Sequence, residues 1–174
     1  MNEQTRTELE LLSRWYDRVR SSTLRLLHDL AEEELNWQPT PRSHSGGRIL
    51  AHIAVTEELR IQRRLAGRKV VPDSVVEAYR SGASLEHSQE CPLAKDELEL
   101  LLKNLRRATQ AFLRGLILGR LQPRKPDVME QLEKLVFQES QHLGQVRYLR
   151  MLRSAESSAV GGRPRESGSQ GHEV

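Results

Sequence analysis

From Thr5 to about Ala31 the positions Leu9, Leu12, Tyr16, Val19, Thr23, Leu26, Leu27 and Leu30 advance in steps of three and four, the spacing of one helix face turned to a core. Residues 32–47 break the pattern with Asn36, Pro39, Pro41, Ser43, Ser45, Gly46 and Gly47. Ser45 can accept hydrogen bonds from the first N–H groups of a following helix, so a second helix is expected to start there. It runs through Ile49, Leu50, Ile53, Ile61 and Leu65 to Gly67, a residue suited to the left-handed turn that ends helices.

Residues 67–93 form a long connection, in which Ser74-Val75-Val76-Glu77 reads as a capping box opening a short helix over 74–80. A third long helix is predicted from about Ala94 to Leu118, its stripe being Leu98, Leu101, Leu102, Leu105, Ala108, Phe112 and Leu116, with Asp96 and Glu97 suiting the dipole of the first turn. Pro123 and Pro126 mark a turn, Asp127 and Glu130 make a second capping pattern, and a fourth helix follows from Val128 to about Arg153. After Ser154 there is little left to bury, and residues 154–174 read as a disordered tail. The expectation is an all-α, four-helix bundle over residues 1–153, with one long connection between helices two and three.

Composition narrows the function classes. Among 174 residues, 27 are basic and 24 acidic, so the charges are interspersed, and no apolar run approaches the roughly 20 residues of a membrane span. The opening Met1-Asn2-Glu3-Gln4-Thr5 lacks the features of a secretory signal, giving the cytoplasm as the expected compartment. The single cysteine, Cys91, excludes an internal disulfide and a thiolate zinc pair. A pI of 9.3 raises nucleic acid as a partner, but the 4% aromatic content is too low for a base-stacking platform. Arg60, Arg63 and Arg64, and again Arg147, Arg150 and Arg153, recur at the spacing of solvated helix faces. The nucleic-acid reading ranks last.

On helix four the stripe turns polar at its middle: Leu132 and Leu135 give way to Gln138, Glu139, His142 and Gln145 before Val146, Leu149 and Leu152 resume. Four such groups at the waist of a bundle imply a hydrogen-bonded network, a water-filled pocket or a bound ion. Gln138 and His142, four apart, share a helix face. On helix two, His52 lies in the most apolar stretch, Ile49 to Val55, with Glu57 five residues on. A lone histidine on an apolar face is more often a hydrogen-bonded core residue than a ligand. A trio drawn from two helices leaves that reading and the ligand reading evenly balanced.

Three stretches together resemble the DinB-like superfamily: Leu35-Asn36-Trp37-Gln38-Pro39; Ser45 through Ala54 with Glu57; and Gln138 through Gln145 with Tyr148-Leu149-Arg150. The resemblance implies a four-helix bundle, often homodimeric, holding a divalent ion (zinc, nickel, iron or manganese) through one histidine of helix two and two of helix four spaced four apart. Members of known activity are metal-dependent transferases and isomerases that use low-molecular-weight thiols. Carried over by position, His52 and His142 match two ligands, and the third position holds Gln138, whose amide oxygen is a weak donor for such ions. Glu139 or Glu57 is a possible substitute ligand, and Gln145 would orient a ligand from the second layer. The sequence therefore supports a metal-dependent enzyme acting on a small molecule, a thiol S-transferase or hydrolase. The alternative is a degenerate, metal-free bundle that binds a small molecule or serves as a dimeric interaction module. Cys91 is read as incidental, His28, His44, His87 and His172 as surface residues, and Trp37 as packing its loop onto the bundle.

Overall fold

The computed structural model of the chain describes residues 2–80 and 93–161. Its elements are α1 (Glu3–Asp29), α2 (Glu32–Asn36), α3 (Gly46–Glu57) running directly into a π-helical stretch (Glu58–Ala66), α4 (Asp73–Tyr79), α5 (Lys95–Ile117) and α6 (Val128–Gly161). There is no strand among the described residues, and none of their helices is long and apolar enough to cross a membrane. The chain is an all-α bundle of four long helices.

Side-chain contacts fix the directions. Lys95, at the start of α5, donates to the carbonyls of His28 and Leu30 at the end of α1, and Arg106 reaches back to Asp17, so α1 and α5 are antiparallel. Arg20 pairs with Glu139 while Arg150 reaches the Asp29 carbonyl, so α1 and α6 are parallel neighbours. Arg64 meets Asp127 at the start of α6, and His52 meets His142, which sets α3 antiparallel to α6. Since α3 and α5 then descend together, the chain between them must climb back up the bundle, about 35 Å for a 23-residue helix. That climb is the reason for the long connection, and α4 lies on it, packed against α3.

Two apolar clusters fill the interior. One is built around Leu27, Leu50, Ile53, Leu98, Leu102 and Val146, the other around Leu9, Tyr16, Ile61, Leu113 and Leu132. Along each helix the junction between them is polar: Arg20, Thr23, Glu57, Thr109 and Glu139 are all buried. The expected stripes shift here by one residue. Val19 and Ala108 are half-buried, while Arg20 and Thr109 take the inward positions, four residues after Tyr16 and Leu105.

Several local expectations give way to competing partners. Ser45 does cap α3, accepting the Arg48 N–H at 3.3 Å, and Gly67 ends the π stretch at φ 68°. Pro72, not Ser74, occupies the cap of α4, because a ring-fixed φ and a missing N–H already suit that place. The Asp127 carboxylate is taken by Arg64 and Gln131, and Glu130 pairs with Lys134, in place of a capping box. Helix α2 forms inside the expected loop, its Glu34 accepting the Ala31 N–H at 2.8 Å.

The π stretch sets Arg63 on Glu58 five residues back, the spacing of a π turn, with Glu58 buried and also accepting the Val70 N–H. A search for a 3.6-residue period cannot foresee that geometry. Helix α6 also continues past the expected boundary to Gly161, so residues 154–161 are helical where a disordered tail was expected. The hydroxyls of Ser154, Ser157 and Ser158 bond back to carbonyls one turn earlier, and the segment elongates a helix already nucleated by its packed part, so it bears no nucleation cost of its own. Residues 162–174 lie outside the described residues.

Candidate metal centre

Two polar centres occupy the waist of the bundle. The first gathers around Arg20, whose Nε and Nη2 donate to the two Glu139 oxygens at 2.8 and 2.9 Å. Nη2 also stands 2.6 Å from Glu57 Oε2, an ion-pair contact out of line for a hydrogen bond. Nη1 donates to the Leu102 carbonyl, Thr23 donates to Glu139 at 2.7 Å, and Tyr16 donates to Glu57 at 2.7 Å. Thr109 also donates to Glu57 and accepts from Gln62, which in turn accepts from Arg68 near the surface. Burial works against the Arg20 charge, but Glu139 and Glu57 outweigh it and hold its proton well above the ordinary range. Burial, with the Glu57 contact adding, raises the Tyr16 phenol well above its usual value against the opposing charge of Arg20.

Glu57 and Glu139, expected as substitute ligands, are thus committed to a guanidinium on α1. Arg20 is not foreseen from composition, because most arginines at helical spacing face solvent. The available signal was its place in the stripe between Tyr16 and Thr23, opposite carboxylates in the stripes of two other helices.

The second centre is the histidine pair. The rings of His52 on α3 and His142 on α6 lie 5.3 Å apart, centroid to centroid, with planes at 85°. His52 Nδ1 is 2.8 Å from the carbonyl of Tyr79, the last residue of α4, and His142 Nδ1 is 2.9 Å from Gln145 Oε1. Both partners are acceptors, so each Nδ1 carries the proton and each Nε2 keeps its lone pair. Thr56 Oγ1 lies 3.4 Å from His52 Nε2, a long contact for a donor. One turn before His142, the oxygen Gln138 Oε1 is buried with no hydrogen-bond partner among the described residues.

Burial lowers the His52 pKa, the His142 and Arg48 charges push the same way, and the Tyr79 carbonyl opposes them. Arg48 is 7% exposed and stacks over the Tyr79 ring at 5.7 Å, tying the climbing connection to the helix that carries His52. His44, read as a surface residue, is exposed yet electrostatically part of this centre. Its pKa is lowered by burial and by the charges of Arg48, His52 and His142. Its position next to the Ser45 cap of the His52 helix was the sequence clue.

The donor set fits an ion in part. Imidazole nitrogens about 2 Å from a shared tetrahedral ion put ring centroids about 5 Å apart, close to the observed spacing. Among the described residues no three His, Cys, Asp or Glu side chains come together as a metal group, and the helix position one turn before His142 carries Gln138, whose buried oxygen has no hydrogen-bond partner.

A family model described as the DinB superfamily matches residues 16–146. The chain belongs to the DinB superfamily. No curated protein matches it significantly. The DinB match begins at Tyr16 and ends at Val146, taking in both polar centres and the connection between α3 and α5. Of the remaining sequence candidates, His28 is exposed and Trp37 is half-buried with Arg153 of α6 over its ring at 5.8 Å. Cys91, His87 and His172 lie outside the described residues.

Proposed function

We propose that the chain is a DinB-type protein that holds a divalent ion (zinc, nickel, iron or manganese) at His52, His142 and Gln138 and acts on a small molecule as a thiol S-transferase or hydrolase. The observation that carries this reading is the pinned tautomer. The Tyr79 carbonyl and Gln145 each accept an Nδ1 proton, which leaves an Nε2 lone pair on each of two neighbouring helices, and one turn before His142 the buried Gln138 oxygen has no hydrogen-bond partner among the described residues. A divalent ion bound there would supply Lewis acidity, holding a thiol or water in its deprotonated form near neutral pH. The residues do the rest. His52 and His142 present neutral imidazole, Gln138 offers a third oxygen, and the Arg48–Tyr79 stack keeps the connection, and with it the Tyr79 carbonyl, in place. The family tie suggests two further parts of the reading, a low-molecular-weight thiol as substrate and a second copy of the chain as partner, with the cytoplasm as the compartment.

The weakness of an amide oxygen as a donor favours a second reading, a bundle that keeps the fold and binds a small molecule or partner without an ion. Elemental analysis of protein purified without chelator or nickel resin separates the two. Near-stoichiometric metal that is lost in His142→Ala supports the first. Absence of metal in the wild type together with metal gained in Gln138→His supports the second.

A further inference from the structure

Between the parallel helices α1 and α6, on the outside of the bundle, runs a groove with two unlike halves. The lower half, about 460 Å³, has an apolar floor around Leu12 and Val136, and its walls carry Trp15 and Phe137, 52% and 64% exposed. Arg18 of α1 borders it. The upper half, about 640 Å³, is lined by Arg25 of α1 and by Arg147 and Arg150 of α6. Gly144 lies in the α6 row that leads from Ser140 in the lower half to Arg147 in the upper one, and the space where a side chain would stand is open, so nothing closes the groove between its halves. From Leu12 to Asp29 it follows α1 for about 25 Å.

The charges of this face are not balanced. Arg18, Arg25 and Arg147 form no ion pair among the described residues; Arg25 touches Ser22 Oγ at 3.4 Å, and Arg150 has Glu34 at 3.4 Å and the Asp29 carbonyl at 3.3 Å. The carboxylates in the groove stand at its two ends, Glu133 below and Asp29 above. Elsewhere surface arginines do find carboxylates: Arg106 meets Asp17, Arg64 meets Asp127, and Arg63 meets Glu58 and Asp73. Unpaired guanidiniums in line with two exposed rings suit a polyanion that carries flat groups, since guanidinium takes phosphate oxygens two at a time and rings stack on bases.

We propose that this groove binds single-stranded nucleic acid, its bases stacked on Trp15 and Phe137 and its phosphates passing along Arg18, Arg25, Arg147 and Arg150. Helix axes packed about 8–10 Å apart leave a channel for one strand and not for a duplex. A length of about 25 Å holds at most about seven stacked nucleotides at about 3.4 Å each. An acidic polypeptide would answer the arginines but leave the rings without stacking partners. The low aromatic content is an average over the chain, whereas one of its two tryptophans and one of its two phenylalanines stand together here. The groove is on the α1 side of α6 while His142 faces α3, so the inference does not depend on an ion at the histidine centre.

Fluorescence anisotropy of labelled oligothymidylates titrated with the full chain tests it, at salt concentrations from about 50 to 200 mM. Affinity should rise with strand length up to about seven nucleotides, and its logarithm should fall with the logarithm of salt at a slope of about −2 or steeper, about −0.7 for each phosphate engaged. Arg25→Gln/Arg147→Gln should make that slope shallower by about 1.4. Trp15→Ala and Phe137→Ala should each weaken binding at least about fivefold and leave the slope unchanged, a division of effects that a merely structural role would not produce. Lys69→Gln, on the connection packed against α3, should change neither. These side chains are exposed, so circular dichroism should show the same helix content in every variant. No binding at the lowest salt overturns the proposal, as does binding indifferent to the arginine pair and to both aromatic substitutions. A duplex of equal length bound as tightly, or polyglutamate bound as tightly with Trp15→Ala and Phe137→Ala silent, also overturns it, the last in favour of an acidic protein partner.

Discussion

Replacing Arg20 by methionine keeps most of the side-chain volume and removes the one cation of the buried layer. Glu139 then loses a two-point bond at 2.8 and 2.9 Å, and Glu57 loses an ion pair at 2.6 Å. Two carboxylates remain inside, with only the hydroxyls of Tyr16, Thr109 and Thr23 to serve them. Breaking a buried ion pair on one side costs about 3–5 kcal/mol, against a total stability of about 5–15 kcal/mol. Urea unfolding followed by far-UV circular dichroism should show that loss, and the melting temperature should fall by roughly 10 °C.

The deficit should shrink in acid. Without Arg20, desolvation and mutual repulsion raise the folded-state pKa of one carboxyl, so the folded variant binds more protons than the unfolded chain. Its stability is therefore fullest below the unfolded carboxyl value of about 4.3 and is lost as pH rises through the raised folded value. Removing the layer as a whole, with Arg20→Met, Glu57→Leu, Glu139→Leu and Tyr16→Phe together, should restore most of the loss, since it strands no charge. A single-variant cost below about 1 kcal/mol, the scale of a surface pair, would refute the closed-layer reasoning.

Gly67→Ala should destabilise by about 1 kcal/mol or more, because its φ is 68° and a Cβ would lie 1.9 Å from Arg124 Nε, whereas Gly144→Ala, mid-helix with open space around it, should stabilise by about 0.5–1 kcal/mol; paired chemical denaturation curves check both. In metal-free protein the His52 ring should titrate below the ordinary imidazole value in an NMR pH series. Because that folded pKa lies below the unfolded one, the unfolded chain takes up protons first. Stability should fall as pH drops below about 6.5 toward the folded value, and His52→Gln should flatten that slope.

The bundle was legible because Leu9, Leu27, Leu50, Leu98, Leu105 and Leu132 obey one helical period, and periodicity is a property of a single segment. The polar middle of α6 was legible for the same reason. Its division into two centres was not, since it depends on which side chain from another helix arrives first. Arg20 claims Glu139 and Glu57, and the Tyr79 carbonyl, 27 residues along the chain, claims His52. The expected caps at Ser74 and Asp127 failed in the same way: Pro72 and Arg64 outcompeted them. His44 is exposed as expected, and only its lowered pKa was not legible, since its electrostatic surroundings come from α3 and α6.

The bond between Arg20 and Glu139 joins residues 119 positions apart, and it bears on the order in which the chain matures. Closing a loop of that length costs about 4 kcal/mol of chain entropy, so the link is poorly placed to form early. As the chain is synthesised, α1, α3 and α5 emerge first and can assemble around Arg20 and Glu57 alone, a pair with no net charge. The arrival of α6 then adds the second carboxylate and, in the same motion, brings His142 to His52. Sealing of the charged layer and assembly of the histidine pair are therefore one late event, and a nascent bundle of three helices has neither.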